Sequence, residues 1–114
     1  MTSVTLKEFE PSAYSLTKTL KGIKEDGTAR SFNEALEYAT AVLKKHGFGV
    51  ITTVDAREIL KKKIDVELSR PYVMLGVCNP KVALSLLKEN PSAGLFLPCN
   101  VVFTENRDGK TVVS

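Results

Sequence analysis

The residues best able to do chemistry here are two cysteines, Cys78 and Cys99, each within two residues of a proline. Cys78 stands in Val77-Cys78-Asn79-Pro80, directly after the apolar run Tyr72-Val73-Met74-Leu75-Gly76-Val77. Such a run suits a strand covered on both faces. Asn79 is a favoured helix N-cap, and Pro80 suits a first turn, where its missing N–H would have had no partner. The spacing therefore predicts a thiol between the end of a buried strand and a helix N-terminus. Unpaired amides and the helix dipole favour a thiolate at such a place. The same geometry can hold a small anion, with Lys81 assisting. No glycine-rich phosphate loop or P-loop lysine accompanies it. The plainer alternative is that Cys78 is a small buried hydrophobe, because free cysteine is among the most buried residue types.

The second motif is Leu97-Pro98-Cys99-Asn100. Pro98 cannot donate to a sheet ladder and marks an edge or a bulge, and bulges re-aim side chains beside sites. Two such interruptions in one small sheet point to a shared pocket. Its candidate ligand-binding residues are Cys78, Asn79, Pro80, Lys81, Pro98 and Cys99; packing at a bulge is the alternative for Cys99.

Other chemistries are poorly served. Structural zinc wants about four Cys or His ligands, and the single histidine, His46, falls at a helix end. The two cysteines form no C-x-x-C pair. Asp55 and Glu58 have the spacing of a helix cap, and Asp26, Asp65 and Asp108 lie in turns. Tyr14 and Tyr72 read as strand packing residues with a wet hydroxyl. No catalytic residue, metal site or cofactor is assigned, and the reading leans toward a non-enzyme.

The elements that must position these motifs follow from periodicity. Val4 and Leu6 alternate, and residues 1–12 read as a tail or short edge strand. Tyr14, Leu16 and Leu20 share the face of a strand. Gly22 to Arg30, with Asp26-Gly27, is a polar turn. Ser31 and Glu34 form an S-x-x-E capping box ahead of an apolar stripe through Phe32, Ala35, Leu36, Ala39, Val42 and Leu43, which Gly47 ends. Residues 48–54 form a strand, and Asp55 with Glu58 repeats the capping pattern on a short helix. Asp65 to Pro71 is a connection, Tyr72 to Cys78 a strand, and Asn79 opens a helix that Asn90-Pro91 ends. Leu95 to Phe103 reads as one long bent strand around Pro98. Asn106-Arg107-Asp108-Gly109 is a hairpin turn into Lys110 to Val113. The order β-α-β-α-β-α-β-β implies an α/β (α+β) domain spanning 1–114, with helices packed on a single mixed sheet. The text stops at Val112-Val113-Ser114 inside a strand pattern, which implies a shortened form or a last strand covered by a partner.

Composition bounds the rest. The 114 residues, 43% apolar and 25% charged, suffice for one core, and with no Trp and 7% aromatics that core is aliphatic. A net charge of +3, spread along the chain, lacks the basic stripe of a nucleic-acid binder. Lys44-Lys45 and Lys61-Lys62-Lys63 fall at helix C-termini, where cations oppose the dipole. No segment reaches the roughly 20 apolar residues of a membrane span, and the first residues do not resemble a signal peptide. Free thiols in the reducing cytoplasm are the expectation.

Taken in order, Ser31-Phe32-Asn33-Glu34-Ala35, Gly47-Phe48-Gly49-Val50-Ile51, Val54-Asp55, Cys78-Asn79-Pro80 and Leu97-Pro98-Cys99-Asn100-Val101 resemble domain-of-unknown-function family 302. The resemblance covers roughly Tyr14 to Ser114. It implies a small mixed α/β fold, association as dimers, and importance for Cys78, Asn79, Pro80, Pro98 and Cys99 with Asp55 beside them. It implies no agreed activity, and some relatives carry a further C-terminal helix. The leading reading is a homodimeric, non-enzymatic cytoplasmic module that binds a small molecule or anion near the C-terminal ends of its strands. The alternatives are a thiol-dependent redox protein or enzyme using Cys78, Cys99 or both, and a purely structural assembly domain. Nucleic-acid and membrane partners are not expected.

Overall fold

Ser31 opens the longest helix, α1 (Phe32–Lys45), through a complete capping box. Its hydroxyl accepts from the Glu34 amide at 3.2 Å, and the Glu34 carboxylate accepts from the Ser31 amide at 3.3 Å. Lys44 and Lys45 occupy the last turn, against the negative end of the dipole. Gly47 then takes a φ of +87°, a left-handed conformation that a side chain disfavours. The computed structural model describes residues 2–7, 18–20 and 30–114. The expected strand residues Tyr14 and Leu16 and the Asp26-Gly27 turn lie outside the described residues.

The remaining elements are β1 (Thr2–Val4), β2 (Lys18–Thr19), β3 (Gly49–Asp55), α2 (Ala56–Ile64), β4 (Val66–Leu68), β5 (Tyr72–Cys78), α3 (Pro80–Glu89), a 3-10 helix η1 (Pro91–Phe96), β6 (Cys99–Glu105) and β7 (Thr111–Val113). Five strands form one sheet in the order β2-β7-β6-β5-β3, antiparallel throughout. β1 and β4 pair in parallel as a separate two-stranded sheet. The mixed α/β class holds, with the parallel and antiparallel pairings divided between two sheets.

Two short segments account for that division. β4 forms inside the stretch 65–71 that reads as a bare connection, and η1 forms where Leu95-Phe96-Leu97 reads as the start of a strand. Each adds a reversal of direction, so β5 enters antiparallel to β3 and β6 antiparallel to β5. η1 has its own start signal: the Asn90 side chain accepts from the Ser92 amide at 3.0 Å, and Pro91 lies in the first turn. Asn79-Pro80 opens α3 by the same device.

The core lies between α1 and the large sheet. Val73, Leu75, Val77 and the fully buried Phe103 form its centre, and Phe32, Leu36, Ala39 and Leu43 of α1 pack on it. Each such side chain taken from water contributes about 1.5–3 kcal/mol before the entropy of ordering it is subtracted. On α2 only half of the second capping box forms. Asp55 accepts from the Glu58 amide at 3.1 Å, while the Glu58 carboxylate reaches forward to Lys62 Nζ at 2.7 Å. The β6–β7 turn is as its residues dictate: Asn106 Oδ1 accepts from the Asp108 and Lys110 amides, both at 3.0 Å, and Gly109 takes a φ of +77°. β1 is tied down from outside its ladder. The Arg70 guanidinium donates to the carbonyls of Leu6 and Glu105, and the Ser69 amide donates to the Val4 carbonyl at 2.8 Å.

Candidate functional site

Strand alternation decides which candidate residues can meet. Val73, Leu75 and Val77 of β5 face α1, so Tyr72, Met74, Gly76 and Cys78 face the other side. Cys99 pairs directly with Val77 and therefore shares the α1 side, exposed at the first position of β6. Cys78 is half-buried on the opposite face. Both thiols are free, and the sheet stands between them. The geometry does not build a pocket shared by the two sulfurs.

Pro98 falls on the Cys78 side. A Cβ placed on Gly76 would overlap Thr52 Oγ1 and come within 2.8 Å of Pro98 Cγ. Pro98 lies just before β6, whose ladder with β5 begins at Cys99; β7 pairs only with Phe103 to Glu105, so among the described residues this end of β6 is open on its β7 flank, and no register shift falls at Pro98. Among the described residues, the register shift in this sheet lies in β3, between Val50 and Thr52, where Ile51 is 60% exposed.

The helix start after Cys78 forms as its residues predict, and its amides are already engaged. Asn79 Oδ1 accepts from the Lys81 and Val82 amides at 3.2 and 3.4 Å, and Pro80 has no N–H to offer. Lys81 is exposed. Behind the cap, a Cβ on Gly47 would lie 3.2 Å from Asn79 Nδ2, so the end of α1 closes that side. An anion at this corner would have to displace the Asn79 carboxamide.

A roomy site lies on the other side of the sheet, and none of the six candidates lines it. A cavity of about 540 Å³ opens between α1 and strands β6 and β7. Ala35 and Ala39, one turn apart, hold little volume there and leave a gap above Val101, Phe103 and Val113. Tyr38, Val42 and Leu43 extend the helical wall, and Leu20 and Arg30 also line the cavity. The Arg30 guanidinium carbon lies 4.1 Å from the centroid of the half-exposed Tyr38 ring, a cation–π contact. No sequence signal marks this cavity, since alanines on an apolar helix stripe read as ordinary core.

A smaller hollow of about 270 Å³ is lined by Asp55, Arg57, Glu58, Lys61 and Glu67. Its charges are of both signs, and Asp55 and Glu58 already bond the α2 amide and Lys62. The hydrogen bond and charge of Lys62 hold the Glu58 carboxyl below its ordinary range, and Glu58 in turn holds the Lys62 ammonium above its own. Among the described residues no group of three or more His, Cys, Asp or Glu could hold a metal ion. No helix among them is long and apolar enough to cross a membrane. The remaining prominent feature is a surface: α3 and η1 pack on each other and bury no residue, Leu95 and Phe96 of η1 are 84% and 81% exposed, and Leu84 and Leu87 of α3 are exposed as well.

A search of curated proteins found no match. Among solved structures, the chain is similar to the crystal structure of an uncharacterized conserved DUF302 protein from Bacillus stearothermophilus. The two share 32% sequence identity over 90% of this chain and 72% of that chain, with a TM-score of 0.75. The family profile "Domain of unknown function DUF302" matches residues 25–114, which takes in α1, β3 to β7 and both cysteine motifs. With that profile spanning most of the sequence and the folds agreeing, the chain belongs to the DUF302 family.

Proposed function

We propose that this DUF302 domain binds a small molecule, and that its site is the cavity between α1 and β6–β7 rather than the corner at Cys78. One observation carries the reading: about 540 Å³ of apolar-walled space beside the core, within the roughly 300–1,000 Å³ usual for ligand pockets. Walls made of aliphatic side chains and two aromatic rings reward burial of an apolar body. Water filling the same space would find few polar partners. The cysteine corner supports the reading less well, because Asn79 occupies its amides and Cys99 faces away from Cys78.

The test is a thermal-shift and calorimetry screen of small apolar and amphipathic molecules against the wild-type chain and Ala39→Leu. The added side chain fills the cavity. Binding to the wild type that Ala39→Leu abolishes is the expected result. Absence of binding across the panel, or binding that Ala39→Leu leaves intact, overturns the proposal.

We also propose that the domain works as a homodimer through α3 and η1. Apolar patches beyond a few hundred Å² are rare on monomers and mark interfaces, and Leu95 and Phe96 leave nearly all of their surface uncovered. A second copy offers the same apolar patch, as a two-fold interface requires. Size-exclusion chromatography with light scattering reads the outcome. The wild type runs as a dimer and Phe96→Asp as a folded monomer; a monomeric wild type at micromolar concentration removes the dimer. The reducing cytoplasm is the compartment that suits the two free thiols.

A further inference from the structure

We infer that the ligand of the α1 cavity is an amphiphile with an apolar body and a single anionic end group, held by Arg30. The inference rests on the cavity being the binding site, and it names the chemistry that site selects. Among the described residues that line the cavity, Arg30 alone carries a charge. The floor is Phe103, Val101 and Val113, and no buried side-chain nitrogen or oxygen among the described residues lacks a hydrogen bond. A polar group pushed deep into the cavity would therefore lose its water and find no partner, at a cost of roughly 1–3 kcal/mol. The inner part of the ligand must be apolar.

The outer end is set by Arg30. Its guanidinium rests against the Tyr38 ring, a contact that engages the face of the group and leaves the N–H edges to point elsewhere. No hydrogen bond or ion pair to a described residue occupies those edges. A guanidinium so placed presents a fork of donors that matches two oxygens of a carboxylate or sulfonate. Tyr38 restricts the side chain before the ligand arrives, which lowers the entropy lost on forming the pair. Ala35 and Ala39 supply the volume, Phe103 closes the bottom, and the charged rim fixes which end of the ligand faces out.

The test uses two probes of one chain length, decanoate below its micellar concentration and decan-1-ol. Each is titrated calorimetrically into wild type, Arg30→Gln, Ala39→Leu and Val42→Phe, with circular dichroism melts to verify that each variant folds. The wild type is expected to bind decanoate about tenfold or more tightly than the alcohol, the difference that one charge-assisted contact supplies. Arg30→Gln should erase that preference while still binding the alcohol. Ala39→Leu, or Val42→Phe should the first fail to fold, should bind neither. Equal affinity of the wild type for both probes, with both lost on filling the cavity, overturns the anionic assignment and leaves the binding site standing. No binding of either probe, or binding unaffected by the filling variants, overturns both.

Discussion

Gly76→Ala gives a demanding test of the packing on the Cys78 side of the sheet. Alanine in a strand interior is ordinarily worth about 0.5–1 kcal/mol over glycine, because it loses less backbone freedom on folding. Here the added methyl would overlap Thr52 Oγ1 and press to 2.8 Å on Pro98 Cγ. The two neighbours differ in what they can yield. Thr52 is exposed and can turn its hydroxyl to another rotamer. The Pro98 ring is closed onto its own backbone, immediately before a central strand, and can move only with that strand. Overpacking of this kind costs about 1–3 kcal/mol. Set against the propensity gain, the mid-range values leave a net loss of about 1 kcal/mol, read as a lower urea midpoint at unchanged slope. The double variant Thr52→Ala/Gly76→Ala should recover less than half of the loss, since the ring remains. Stability of Gly76→Ala equal to or above wild type would refute the argument. Full recovery in the double variant would show that Thr52, and not Pro98, is the wall.

Three further outcomes follow from the same structure. Ser31→Ala should cost about 0.5–2 kcal/mol of stability in urea, because it removes the hydroxyl that accepts from the Glu34 amide at the start of α1. Under native conditions an alkylating reagent should modify exposed Cys99 well before half-buried Cys78, as mass spectrometry of timed samples would show; equal rates would contradict the placement of the two thiols. Because the Glu58 carboxyl is held low by Lys62, its contribution to stability is present above the unfolded carboxyl pKa and fades as the pH falls through the lower folded value. Lys62→Met should therefore move the NMR titration of Glu58 upward, toward the ordinary carboxylate range, and a titration that stays put would count against the pair.

Local signals were legible and spatial ones were not. Ser31, Glu34 and Gly47 announced α1 because capping and chain reversal depend on residues within a few positions of each other. The Asn106-Gly109 turn was legible for the same reason. η1 escaped because Leu95-Phe96-Leu97 has the composition of a strand, yet Asn90-Pro91 carries the helix-opening signature already read at Asn79-Pro80. β4 escaped because three residues, Val66 to Leu68, are too few for a period to stand out. The separation of the cysteines depended on the Val77–Cys99 register, which no spacing within a single strand encodes. The cavity was least legible of all. It arises from what Ala35 and Ala39 fail to fill opposite residues more than sixty positions away, and absence of volume leaves no mark on an apolar stripe.

The position of β7 has a consequence for how the molecule is made. β7 lies between β2 and β6, so the strand that joins the early part of the sheet to its body is translated after the other four described strands. Until Thr111 to Val113 leave the ribosome, β2 lacks its one neighbour among the described strands and the flank of β6 at Phe103 to Glu105 stands open. Pairing Lys18 with Val113 also closes a long loop, whose closure entropy must be met before the pairing stabilises the sheet. Nascent chains halted within the β6–β7 turn should therefore be the ones that chaperones retain.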